Sequence, residues 1–245
     1  MLEIRLDKKV SLRGYTLVEG FPGIGWIATI AAGHLVEKLN MKDIGYVESD
    51  QFAPVSVILK GKPMFPVRMY ADPKTKISVL LSEFVVPSQT IYPLSRNLVD
   101  LAKKQGVKRV ISLAGITSLA PQKKTAYGIA SNDKVLQLFK KEGITPIEEG
   151  VTAGVSGVLL SLCAREDVNA MGLLVPTMQK IPDPGAAADL LEIFSRVTRV
   201  KVDTTDLKKE ASQIQEKVKT MLAKIEKGKK GYDNAEKNLY PGIYG

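Results

Sequence analysis

Histidine and cysteine are almost missing from this chain: His34 and Cys163 stand alone among 245 residues. A single cysteine excludes an internal disulfide and fits a reducing compartment. A single histidine removes the side chain most used as metal ligand and general base. No cluster with metal-ligand spacing appears, and neither does a G-x-S-x-G nucleophile elbow. Aromatics make up only 6% of the residues, and the body lacks the aromatic-basic stripe of single-strand nucleic-acid binders. No apolar run approaches the ~20 residues that cross a bilayer. The opening Met1-Leu2-Glu3-Ile4-Arg5-Leu6-Asp7 alternates apolar and charged residues, unlike the basic-then-apolar order of a signal peptide. These absences lead to the expectation of a cytoplasmic protein with no membrane span, metal or cofactor.

The charge points the other way at first. A net +9 suggests a polyanionic partner. Its placement argues against one. Between Leu207 and Lys237 nine lysines face five acidic residues, so one short segment carries a surplus of four. Lysines outnumber arginines, whereas bidentate base readout favours arginine. A lysine-rich solvated surface with no nucleic-acid partner is the simpler reading.

Candidates for catalysis are thin. His34 sits in the apolar helical stretch Ala31-Ala32-Gly33-His34-Leu35-Val36, where a packed, hydrogen-bonded role is expected. Cys163 follows Leu159-Leu160-Ser161-Leu162, and burial there would raise its pKa and make the thiol inert. Ser118 and Ser156 show no evident activating base. No catalytic residue is assigned, and the chain is not expected to be an enzyme.

What is present divides into three regions. Residues 1–202 alternate short β-branched runs with helical patterns, which predicts a layered α/β domain. Predicted strands are Tyr15–Val18, Val55–Leu59, Met64–Tyr70, Ile77–Leu81, Arg109–Leu113 and Met171–Val175. The later ones are continuous enough in apolar residues to be buried on both faces. Leu94, Leu98, Leu101 and Ala102 predict a helix ended by Gly106. Asp133 and Gly143 bracket another, and Asp183-Pro184 opens a third. In the second region, 203–227, Leu207, Ala211, Ile214, Val218, Met221 and Ile225 repeat at alternating steps of four and three. That is a heptad seam, which predicts self-association; the alternative is a terminal helix packed on its own domain. The third region, 228–245, is polar and glycine-punctuated, and composition predicts a mobile tether reaching about 20–25 Å.

Three segments of the body carry a resemblance. They are Gly20-Phe21-Pro22-Gly23-Ile24-Gly25 after a strand, Thr152-Ala153-Gly154-Val155-Ser156-Gly157-Val158-Leu159-Leu160, and Pro182-Asp183-Pro184-Gly185-Ala186-Ala187-Ala188. In order and spacing they resemble the proteasome assembly chaperone family, whose α/β fold is similar to nucleoside phosphorylases. The ending Ile243-Tyr244-Gly245 resembles the hydrophobic-tyrosine-any-residue motif by which activators and assembly factors dock on the outer ring of the proteasome core particle. Physically it is a plug: an aliphatic anchor, a phenol with a polar handle, and a free carboxylate for a lysine of the partner. The resemblance is closest to the archaeal branch and implies a homo-oligomer, with a tetramer as the expected copy number, that presents several tails at once.

A competing reading starts from the first segment. Gly23-Ile24-Gly25-Trp26-Ile27-Ala28 mimics a dinucleotide-binding turn, with Glu48 as its ribose acid. A small-molecule enzyme, phosphorylase-like or nucleotide-dependent, would then use the Gly20–Ala28 turn to hold phosphate. The plainer expectation is that these glycines serve tight turns and close packing, and that Pro182-Asp183-Pro184 is a rigid loop with a helix cap.

Overall fold

The computed structural model describes residues 2–117, 125–177 and 182–213. Its framework is a mixed nine-stranded sheet. In chain order the strands are β1 Leu2–Leu6, β2 Thr16–Gly20, β3 Lys42–Ser49, β6 Val67–Asp72, β7 Ile77–Ser82, β8 Arg109–Thr117, β9 Tyr127–Ala130, β10 Thr145–Pro146 and β11 Ala170–Thr177; β4 Val57–Leu59 and β5 Lys62–Met64 form a separate hairpin. Across the sheet the order is β1-β3-β6-β7-β2-β8-β11-β9-β10. The central strands β7, β2, β8 and β11 are mutually parallel, and β6, β3 and β1 extend one side in antiparallel steps.

Alternation along the central strands sends side chains to two cores. Val18, Val79, Ile111 and Leu173 join a cluster with α1 (Ile27–Lys38), α3 (Asp133–Glu142) and α5 (Pro184–Thr198). Leu17, Leu80 and Val110 join another with α2 (Ser88–Gln105) and α4 (Gly154–Arg165). The result is the layered α/β arrangement expected from the alternation of strands and helices. A further helix, α6, begins at 205 and is described to 213.

Local chemistry sets the ends of these helices. Gly106 and Gly143 close α2 and α3 in the left-handed conformation, each with φ of 65°. Asn132 caps α3 and Asp183 caps α5 through their side chains. Two predicted strands are corrected. The run Met64–Tyr70 is broken: β5 stops at Met64 and β6 starts at Val67, with Pro66, which lacks an N–H, between them. The run Val55–Leu59 contributes only Val57–Leu59, and that strand pairs with β5 outside the main sheet. Strands β1, β3, β9 and β10 were not among the predicted ones. β1 alternates apolar with charged residues because it lies on the edge, with one side open to water.

Candidate functional site

The three segments that carry the family resemblance meet at the carboxyl end of the parallel strands. After β2 the chain makes a one-turn 3₁₀ helix, Ile24–Trp26, with Gly25 (φ 62°) and Trp26 (φ 53°) both left-handed, and enters α1. Gly20 lies under that helix: a Cβ there would stand 2.2 Å from the Ala32 Cβ. Gly115 of β8 is also tightly packed, since its Cβ would lie 2.8 Å from the Ile24 carbonyl oxygen. The backbone N–H of Asp183 donates to the Gly25 carbonyl at 2.9 Å, which links the third segment to the first. One Asp183 carboxylate oxygen accepts from the Ala186 N–H at 2.9 Å and the other from the Thr177 hydroxyl at 2.7 Å.

The second segment joins through a buried acid. Glu19, next to last in β2, is 1% exposed. One oxygen accepts from the Phe21 N–H at 3.1 Å. The other accepts from the Ser112 hydroxyl of β8 at 2.6 Å and the Ser156 hydroxyl of α4 at 3.1 Å. Burial pushes this carboxyl up to about 7, and the two hydroxyls and the backbone N–H pull against that rise. Ser156 therefore does face a carboxylate, contrary to the sequence reading. That carboxylate is sealed and shared by three donors, so it acts as a clasp between two strands and a helix. Glu19 itself was missed. Its signal was a charged residue inside Thr16-Leu17-Val18-Glu19-Gly20, an otherwise apolar strand.

Above the clasp opens a cleft of about 650 Å³, lined by Phe21, Ile24, Val86, Leu113 and Ile116 together with the 147–153 loop and the first turn of α4. Its walls are mostly aliphatic. The charged side chains that line it are Glu148 and Glu149, with no Lys or Arg among the described lining residues. Such a cleft is poorly suited to phosphate. The dinucleotide reading meets a second obstacle. Glu48 would have to end a strand adjacent to β2, yet β3 lies three places away and its Glu48 pairs with Arg5 at 2.5 Å.

The other sequence candidates are placed as follows. His34 is buried on α1 with Nε2 at 2.6 Å from the Asp203 carbonyl oxygen, a packed and hydrogen-bonded histidine. Cys163 is buried, and desolvation pushes its thiol up to about 12. Leu207 is 5% exposed and belongs to the core shared by α1 and α5. Ala211 stands over Gly185, within 3.3 Å of where a Cβ would be. Ion pairs Lys38–Asp206 and Lys208–Glu192 fix the same stretch. The first two seam positions thus lie on their own domain, and α6 runs from the end of α1 back toward the cleft end of the sheet. Leu207→Ala should therefore lower the stability of the folded chain by about 2–4 kcal/mol, read from urea melts whose midpoint shift is the same at low and high protein concentration. Ile214, Val218, Met221, Ile225, Ile243, Tyr244, Gly245 and Ser118 lie outside the described residues.

The PAC2 family model matches residues 17–222, a span that takes in all three converging segments. The chain belongs to the PAC2 family. The uncharacterized protein MJ0106 of Methanocaldococcus jannaschii is 31% identical over 228 residues, covering 91% of this chain and 94% of its own. The chain is also similar to crystalline PbaA of Pyrococcus furiosus, described as an archaeal homolog of proteasome-assembly chaperone: TM-score 0.85 at 28% identity, over 98% of this chain and 99% of that one. Pyrococcus furiosus PbaB, described as an archaeal proteasome activator, shares the fold with a TM-score of 0.78 at 19% identity, over 90% and 98% of the two chains. Of the glycines in these segments, Gly20 and Gly157 pack directly against neighbours within the chain, whereas Gly23 and Gly154 face open space. Among the described residues no helix is long and apolar enough to cross a membrane.

Proposed function

We propose that this chain is a proteasome assembly chaperone or activator that acts by binding and not by catalysis. It docks on the outer ring of the proteasome core particle through Ile243, Tyr244 and Gly245. Support comes from family membership and above all from the likeness to PbaA along nearly the whole chain. The α/β domain is the scaffold and several copies associate, with a tetramer as the expected number. Because Leu207 and Ala211 face their own domain, the seam residues left for partners are Ile214, Val218, Met221 and Ile225. Each plug binds weakly by itself; several on one assembly raise the overall affinity by about a hundredfold or more when they engage together. The setting is cytoplasmic, with neither nucleic acid nor membrane as partner.

The test is co-sedimentation with proteasome core particles. Tyr244→Ala should abolish it, and so should residues appended after Gly245 that remove the free terminal carboxylate, while the assembly of the chain itself stays intact. Binding by both variants at the unmodified level would overturn the docking role of the tail. A thermal-shift screen with nucleotides and inorganic phosphate separates the enzyme reading. A flat screen is expected, because a ligand specific for the folded state would raise the melting temperature.

A further inference from the structure

Among the described residues, the large apolar side chains that stand exposed fall into two groups. One is the β4–β5 hairpin and its approaches, with Val55, Ile58, Leu59 and Phe65 between 45% and 66% exposed. The other is the cleft and its rim, where Ile24, Val85 and Val151 line the opening, Val151 with its side chain fully in solvent. Tyr92, beside the cleft-lining Ile91, and Trp26 complete that second group. Apolar area concentrated in this way marks an interaction surface.

The two groups are both apolar and carry opposite charge. The hairpin is convex and ends in Lys60-Gly61-Lys62, where Lys60 (φ 51°) and Gly61 (φ 78°) form a tight two-residue turn with both φ values positive. Its exposed cations are Lys60 and Lys62. The cleft is concave, aliphatic and edged by the exposed Glu148 and Glu149. The hairpin is also held rigidly at its root. Phe65 stacks on Tyr46 with ring centroids 4.1 Å apart, and the buried Arg68 donates to the Phe65 carbonyl at 3.0 Å. On the other leg Phe52 meets Phe84 edge-on at 5.2 Å. A lone two-stranded hairpin is marginal in water, and this one is braced at its root. No hairpin residue lines the chain's own cleft.

Topology places the two groups for contact between neighbours. The hairpin lies between β3 and β6, toward the β1 side of the sheet, and the cleft loop follows β10 on the opposite edge. Both sit at the same end of the strands, because Val67 of β6 pairs with Ser82 at the end of β7, beside the end of β2. Copies set side by side would bring one hairpin against the next copy's cleft. We infer that the β4–β5 hairpin of one copy docks in the Glu148–Glu149 cleft of a second copy of this chain. The contact is head-to-tail, so it propagates until the rotation between copies closes it into a ring. It rests on the self-association proposed above, and it adds an interface from the domain itself to the one offered by the seam.

Charge reversal on the full-length chain tests it, with mass read by light scattering and folding checked by circular dichroism. Lys60→Glu with Lys62→Glu, or Glu148→Lys with Glu149→Lys, should each weaken assembly by at least tenfold, since like charges then face each other across the contact. Mixing the two variants, or combining all four substitutions in one chain, should restore the native mass. Ile58→Asp should break assembly with no electrostatic rescue. A native mass that either charge reversal leaves unchanged would overturn the inference, as would a failure of the chain with all four substitutions to reassemble. If Met221→Asp or Ile225→Asp disperses the copies while both charge reversals do not, the seam gathers the chain and the hairpin does not. The co-sedimentation of Tyr244→Ala is independent of all these outcomes.

Discussion

Gly20→Val should cost the fold a large part of its stability. The new Cβ would stand 2.2 Å from the Ala32 Cβ and 3.0 Å from the Ala28 carbonyl oxygen. Neither neighbour is the tip of a flexible side chain; both belong to the body of α1. The helix would have to move off the sheet, and α1 carries Ile27, Ala31 and Leu35 into the core at 0% exposure. Overpacking against backbone costs about 3 kcal/mol or more, a large share of the ~5–15 kcal/mol that holds a domain folded. Gly23→Ala is the matched control in the same turn. Gly23 is extended, with φ of −154°, and a Cβ there meets nothing within 4 Å, so its effect should stay within about 0.5 kcal/mol. Chemical denaturation of the two variants checks both. Equal losses would mean that the turn glycines are needed for something other than packing.

Glu19 should make the protein less stable as pH rises. Its folded pKa stands near 7, above the ordinary carboxyl value of 4.5, because burial penalises the charged form. The folded state therefore holds this proton more tightly than the unfolded state does. The contribution is fully present below pH 4.5 and is lost as pH climbs through about 7. A rise of that size corresponds to roughly 3 kcal/mol. Glu19→Gln keeps the volume and removes the titration, so the difference in stability between parent and variant should change by that order between pH 5 and pH 8. A parent and variant with parallel pH profiles would refute the assignment. Glu19→Ala should be far worse at every pH. It leaves the Phe21 N–H and the Ser112 and Ser156 hydroxyls without their shared acceptor and opens a void under the cleft.

Residues that obey a local rule were readable in advance. Gly106 and Gly143 end helices because they adopt positive φ without strain. Asp183 caps α5 because its carboxylate reaches the Ala186 N–H. The continuous apolar runs of β7, β8 and β11 became central strands because both faces are covered. Pro66 was legible too, yet a propensity run was carried through it. The edge strand β1 was legible as well: the period-two alternation of Leu2, Ile4 and Leu6 with Glu3 and Arg5 is itself a strand signal, and it was weighed only against a signal peptide. The clasp of Glu19, Ser112 and Ser156 was hidden. Its members are 93 and 137 positions apart in the chain, and only the strand order brings them together. Leu207 shows the limit of periodicity: a heptad step says that a side chain will be covered, not by what.

The sealed thiol of Cys163 has a practical consequence. A group that loses its proton only near pH 12, with no exposed surface, stays silent toward maleimide dyes at neutral pH. A cysteine introduced at an exposed site, such as Lys60→Cys or Val151→Cys, would then be the sole target without first removing the native one. Donor and acceptor fluorophores on those two positions in separate batches would report, by energy transfer on mixing, whether the arm of one molecule comes close to the mouth of another.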